Sequence, residues 1–181
     1  MRKIASRRSA VEKELFRSLE LETRVVDAAG RYGSPVDRDD LGFAAFVQLN
    51  QHLYTRYARV RLSEEAVTLV VIRETFTAAR SRWSWLLSRP CPAADVWGEL
   101  RLRVTREAAK TSAPDVSLGR LYEALPHCCA DSVILCLRLG LDTEDAAGLM
   151  GIERSAVEAA LGVARRARLH VTGSEVPLER R

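Results

Sequence analysis

Two groups of residues in this chain have side chains suited to chemistry. One is His127, Cys128, Cys129 and Cys136, imidazole and thiol groups of the kind that bind zinc. Their spacing opposes a metal. Neighbouring helical residues point about 100° apart, Cys129 and Cys136 meet only at a two-turn distance, and no CxxC pair exists. The cysteines are therefore read as small apolar core residues, and no metal or other cofactor is expected. The other group is Trp83 and Trp85, interleaved with Arg80, Arg82 and Arg89. Aromatic rings among guanidinium groups can stack on unpaired bases while the charges hold phosphates. As core or loop anchors the same tryptophans would do neither. Arg101, Arg103 and Arg106 follow within two helical turns and suit either a solvated basic face or contacts to a nucleic-acid backbone. No phosphate-cradling glycine loop, HExxH motif or nucleophile elbow is present, and His52 and His170 stand alone. No catalytic residue is assigned, and the chain is not expected to be an enzyme.

These residues need a scaffold, and the composition bounds what it can be. With 181 residues, 47% hydrophobic and 29% charged, the chain suffices for one globular domain or two small ones and is not disordered throughout. No apolar run approaches the roughly 20 residues of a bilayer-spanning helix, and charges interrupt the opening stretch MRKIASRRSAVEKEL. With no secretory leader and two adjacent cysteines, a reducing cytoplasm is expected rather than a disulfide framework. The net charge of +4 is unevenly spread, with +4 over residues 38–110 and −4 over 127–163. Phosphate binding depends on where basic groups cluster, so the middle block is the better electrostatic match to nucleic acid.

Hydrophobic periodicity predicts helices along the whole chain and no strand. Residues 5–29 place Val11, Leu15, Leu19 and Val26 at helical spacing, and a breaker-rich loop follows Gly30. From Asp40 to about Arg61, an apolar stripe of Phe43, Phe46, Val47, Leu53, Tyr54, Tyr57 and Ala58 contains Asn50 as its one polar member. Ser63 is a candidate cap for a largely buried helix through Ala79, and Asp95 for another to about Lys110. TSAPDVS, with Pro114, marks a boundary. Beyond it lie a short helix Leu118–Leu125 ended by Pro126, and a helix Ser132–Leu139 stopped by Gly140. Thr143 is read as the cap of EDAAGLM, which Gly151 ends, and Ser155 as the cap of AVEAALGVARRARL. Ala147 is small where a second helix must approach, Gly151 suits a left-handed turn, and Ile152, Val157 and Leu161 supply an apolar seam. That is the steric pattern of a helix-turn-helix. The expected organisation is all-α: an N-terminal helix and loop (1–37), a helical domain (38–110), a linker (111–117), a second helical domain (118–170) and a tail (171–181).

LYEALPHCCADSVILCLRLGLDTEDAAGLMGIERSAVEAALGVARRARL resembles region four of bacterial RNA polymerase sigma factors of the extracytoplasmic-function group. FAAFVQLNQHLYTRYARVRLSEEAVTLVVIRETFTAARSRW resembles their region two, with RETF at the family's QETF and Trp97 at the tryptophan before the promoter-reading helix. The resemblance covers residues 41–110 and 118–169. It implies two small helical domains that work with RNA polymerase core and promoter DNA in transcription initiation, by recruitment and local melting. By position it implies polymerase contacts at Arg73, Glu74, Thr75 and Phe76. It implies DNA contacts at Trp83, Trp85, Arg101, Arg103, Arg106, Arg154, Ser155, Arg165, Arg166 and Arg168. An anti-sigma factor or other regulatory protein is a further expected partner, and a membrane is not.

Some positions depart from the family pattern. Val70 stands at its aspartate and Arg73 at its glutamine, while Glu158, Ala159 and Ala160 occupy recognition-helix positions that usually carry lysine, serine and arginine. A carboxylate facing DNA is repelled or limited to cytosine contacts. These residues suit an alternative, a degenerate sigma-like interaction module that keeps the fold and has lost sequence-specific DNA reading.

Overall fold

The computed structural model describes residues 38–110 and 115–167, which consist of helices and their connections, with no strand. The helix expected over 5–29, the centre of the linker, Arg168 and the tail 171–181 lie outside the described residues. In chain order the helices are α1 (Arg38–Arg61), α2 (Glu65–Ser81), α3 (Trp83–Leu87), α4 (Pro92–Ala108), α5 (Val116–Ala124) and α6 (His127–Val133). A π-helical turn (Ile134–Arg138) extends α6, and α7 (Thr143–Met150) and α8 (Arg154–Arg166) follow. The described chain is all-α.

The stripe read along α1 faces inward. Phe43, Tyr54, Tyr57 and Ala58 are buried, Phe46, Val47 and Leu53 partly so, and the polar member Asn50 donates back to the Phe46 carbonyl at 2.8 Å. A ladder of rings lines this face. Trp83 meets Phe43 and Phe46 at 5.3 and 5.2 Å between centroids, and Phe46 meets Phe76 at 6.5 Å. Phe76 stacks on Tyr54 at 5.7 Å, and Trp97 packs on Tyr54 and Tyr57 at 5.6 and 4.7 Å. Such contacts add to simple area burial because ring edges and faces carry opposite partial charge.

α2 was expected to be largely buried, and it is buried on one face only. Thr68, Val71, Ile72, Thr75, Phe76 and Ala79 point into the bundle, whereas Ala66, Val70, Arg73, Glu74 and Thr77 are exposed. The helix packs against α1 and α4 on one side and meets solvent on the other.

Several helix starts differ from the expected caps. α2 begins after Glu64 rather than at a Ser63 cap, with no side-chain cap bond. α4 begins three residues before Asp95, because Pro92 has the fixed φ of a first helical turn and lacks the N–H that would go unpaired there. Asp95 lies in that first turn, where its charge suits the positive helix end. Asp142, not Thr143, caps α7 and accepts from the Asp145 N–H at 2.7 Å. α8 starts at Arg154 without a side-chain cap, which places Ser155 inside it. α6 starts at His127, five residues before the expected Ser132, because Pro126 launches it.

α6 packs extensively on α8, with Ala130, Val133 and Ile134 buried against Val157, Leu161 and Ala164 in one core cluster. Of the expected seam, Ala147, Val157 and Leu161 are buried, but Ile152 is 38% exposed. The turn directs it outward while its N–H closes on the Ala147 carbonyl at 3.1 Å. Gly140 and Gly151 both have left-handed backbone, φ 73° and 64°.

Residues on either side of the linker pack together as one unit. α7 lies against α4, and a Cβ added to Gly151 would fall 2.3 Å from the Ala94 backbone nitrogen. The π turn widens the helix where Arg56 donates to the Leu139 carbonyl at 2.8 Å. Arg138, in the same turn, pairs at 2.7 Å with Asp115, which also caps α5.

The two glycines separate backbone strain from close approach. Gly140→Ala meets nothing within 4 Å and should cost about 1 kcal/mol for the left-handed conformation alone. Gly151→Ala adds the collision with Ala94 and should cost about 2–4 kcal/mol. Urea unfolding of each variant measures the difference. Equal losses would mean that the contact with Ala94 contributes nothing.

Candidate nucleic-acid interface

The short helix α3 separates the two tryptophans. Residues two apart on a helix point to roughly opposite sides, so Trp83 is buried against α1 while Trp85 is half exposed. Trp83 is a core residue. The Trp85 ring carries the Arg89 guanidinium at 5.2 Å and that of Arg82 at 6.0 Å from its centroid. Both arginines also reach carboxylates of α4, Arg89 to Asp95 in its first turn and Arg82 to Glu99 near its middle, each at 3.4 Å. Those bonds are long and partly solvated, so they hold the guanidinium groups near the ring at little cost to their release.

Arg101, Arg103 and Arg106 do not form one face. At 100° per residue Arg101 points away from the other two. It is partly buried, and its charge acts on the buried Asp131. Arg103 lies between Glu99 at 2.8 Å and Glu74 at 2.6 Å, and only 18% of its side chain is exposed. Arg106 is exposed. The geometry thus joins Arg103, a DNA-contact candidate, to Glu74, a polymerase-contact candidate.

Of the remaining polymerase candidates, Arg73 is exposed, but Thr75 and Phe76 are buried. Thr75 donates its hydroxyl to the Val71 carbonyl at 2.8 Å, and Phe76 belongs to the ring ladder. Neither is on a surface that could meet a partner. Val70, beside them, is exposed.

On α8, Ser155, Arg165 and Arg166 are exposed, and Arg168 lies outside the described residues. Arg154 is engaged by its neighbours, donating to Glu158 at 2.8 Å and lying 3.7 Å from Glu144. Ala159 is exposed and Ala160 buried. The first turns of this helix therefore present a neutralised, partly acidic surface.

His127 and Cys128 are exposed on the first turn of α6, and the His127 ring packs edge-on against Tyr122 at 5.5 Å. All four cysteines are free, and burial pushes the Cys129 and Cys136 thiols up. Among the described residues no group of three His, Cys, Asp or Glu side chains is placed to hold a metal ion.

One cluster was not anticipated. Asp131, fully buried on α6, accepts from the Tyr57 hydroxyl at 2.6 Å and the Tyr122 hydroxyl at 2.5 Å, both on Oδ1. Arg61 lies 3.7 Å from the Tyr122 ring centroid and donates to the Tyr57 oxygen at 3.3 Å. Burial pushes the Asp131 carboxyl up from its ordinary 3.8, against the pull of both hydroxyls, Arg61 and Arg101. The available sequence signal was a lone carboxylate inside the apolar run CCADSVILCL, with Arg61 one turn after Tyr57 of the α1 stripe. A buried charge requires such partners.

The exposed and buried tryptophans give a direct test. Trp85→Ala should leave stability within about 0.5 kcal/mol and weaken single-stranded DNA binding by about 1–3 kcal/mol, the usual value of one stacked base. Trp83→Ala should lose about 3–5 kcal/mol of stability through the cavity it leaves. Unfolding midpoints and fluorescence titration with an oligonucleotide distinguish them, and unchanged DNA affinity in Trp85→Ala would remove this residue from the interface. Compared with protein-family models, characterised proteins and solved structures, the chain matches none.

Proposed function

We propose that this chain is a sigma-factor-like transcription protein that acts with RNA polymerase in promoter recognition and initiation, and that it does so without catalytic chemistry of its own. The observation that carries the proposal is the solvent-facing Trp85 ring flanked by Arg82 and Arg89. An exposed ring covered only by guanidinium groups that long, partly solvated pairs hold suits an unpaired base and its phosphates, the base replacing a guanidinium over the ring. The α7–α8 pair supports the same reading, since its left-handed Gly151 and the buried Ala147 and Val157 have the geometry of a helix-turn-helix.

A second reading is favoured by Arg154. With its charge taken up by Glu158 and Glu144, the start of α8 lacks the free cation that phosphate contacts require. On this reading the C-terminal helices contact a protein, and the chain is a sigma-like interaction module.

Co-purification of the tagged full chain with bacterial core RNA polymerase, followed by transcription from candidate promoters, tests the first reading. Stable association and new transcript, reduced about tenfold by Trp85→Ala, are expected. Absence of association would overturn it in favour of the second. Glu158→Lys tests whether α8 docks on DNA. Release of Arg154 should then raise duplex affinity and steepen the salt dependence by about one phosphate contact, whereas no change would place α8 against protein or solvent.

A further inference from the structure

We propose that Arg82 is the side chain that a bound single strand draws from the Trp85 ring onto its phosphate, and that Glu99 is the positioning residue that makes this exchange possible. The inference rests on the single-strand contact proposed for Trp85 and assigns unequal roles to the two arginines beside it. Both guanidinium groups occupy space that a stacked base needs, so at least one has to leave. They are not held alike. Arg89 lies closer to the ring centroid, 5.2 Å against 6.0 Å, and its Nε donates to Asp95. Arg82 reaches Glu99 through Nη2, while its Nε is buried with no hydrogen-bond partner among the described residues.

A buried N–H without an acceptor is costly, and the cost is relieved when the group moves to a phosphate oxygen, where the bond formed is charge-assisted. Attraction to the ring opposes the move least for Arg82. A cation 6.0 Å from the centroid stands at the outer limit of a favourable contact. Arg82 therefore loses one long ion pair and one weak ring contact on leaving, and gains partners for donors that lack them.

A departing cation leaves a carboxylate behind, and here the two arginines differ again. Glu99 is shared. Its Oε1 accepts from Arg103 Nε at 2.8 Å, and its Oε2 takes Arg82 at the longer 3.4 Å. When Arg82 leaves, Glu99 keeps a close charge partner, which Glu74 holds in place from the other side at 2.6 Å. Asp95 pairs with Arg89 alone among the described residues, so taking Arg89 would strand a carboxylate beside the incoming phosphate. The arrangement sends Arg82 to the phosphate and keeps Arg89 beside the ring.

The test is titration of the full chain with a fluorescently labelled single-stranded oligonucleotide over a range of salt concentrations. Arg82→Gln should flatten the salt slope by about 0.7, the share of one phosphate on a single strand, and Arg89→Gln should flatten it less. Glu99→Gln frees Arg82 beforehand and should raise affinity about two- to fivefold, the weight of one solvated pair. That gain should vanish when Arg82→Gln is already present, whereas the general effect of deleting a carboxylate near DNA would survive there. Equal flattening in the two arginine variants would overturn the assignment of Arg82. No gain from Glu99→Gln, or a gain that persists without Arg82, would overturn the role of Glu99. Trp85→Ala separates this inference from the reading beneath it. If that variant binds more weakly and the arginine and glutamate results fail, only the roles assigned here fall. If its binding is unchanged, the stacking contact falls and these roles with it.

Discussion

The carboxylate of Asp131 is the constraint around which the two parts of the molecule are arranged. It has no exposure, and its donors come from helices far apart in sequence, 74 residues away for Tyr57 and 9 for Tyr122. To deliver both hydroxyls to one oxygen, α1 and α5 must each hold a fixed rotation about their own axes. The rotation of α1 that turns Tyr57 inward is also the one that presents Phe43, Phe46 and Tyr54 to the ring ladder. Packing and polar satisfaction therefore demand the same register, the mutual consistency that gives a sequence one native arrangement. The π turn after α6 contributes by carrying Arg138 to Asp115 and the chain on to Leu139, whose carbonyl accepts from Arg56.

Elsewhere, carboxylates divide the arginines into two populations. Glu74 and Glu99 engage Arg103, Asp95 engages Arg89, and Glu158 engages Arg154. Arg73, Arg106, Arg165 and Arg166 are exposed. The exposed arginines outside these pairs thus fall singly on α2 and α4 and together at the end of α8. Solvated pairs contribute little to stability, so their main consequence is to decide which guanidinium groups are ready to meet a phosphate.

Most of the fold was legible in the sequence, because amphipathic helices announce themselves by periodicity. The α1 stripe, the glycine stops at 140 and 151 and the small Ala147 all stand where the residues indicated. Helix starts were less legible. Ser63, Thr143 and Ser155 each have a capping oxygen, but capping depends on the backbone angle one residue away, and Glu64, Asp142 and Glu153 hold the extended conformation instead. The candidate interface was readable in part. WSW gave the aromatic patch, but only the rotation of α3 decides that Trp85 faces out and Trp83 in. Thr75 and Phe76 face inward for a reason of the same kind, since position in a motif does not specify which side of α2 is covered. The Asp131 cluster depends on contacts across the linker, which local pattern does not encode.

The approach of Gly151 to Ala94 has a metric consequence. Ala94 is next to Asp95, which holds Arg89 beside Trp85, and Gly151 is three residues before the first residue of α8. The span from the aromatic patch to α8 is therefore set by this close backbone approach and not by the length or composition of the linker. The molecule then behaves as a ruler. A partner touching both ends must match one separation.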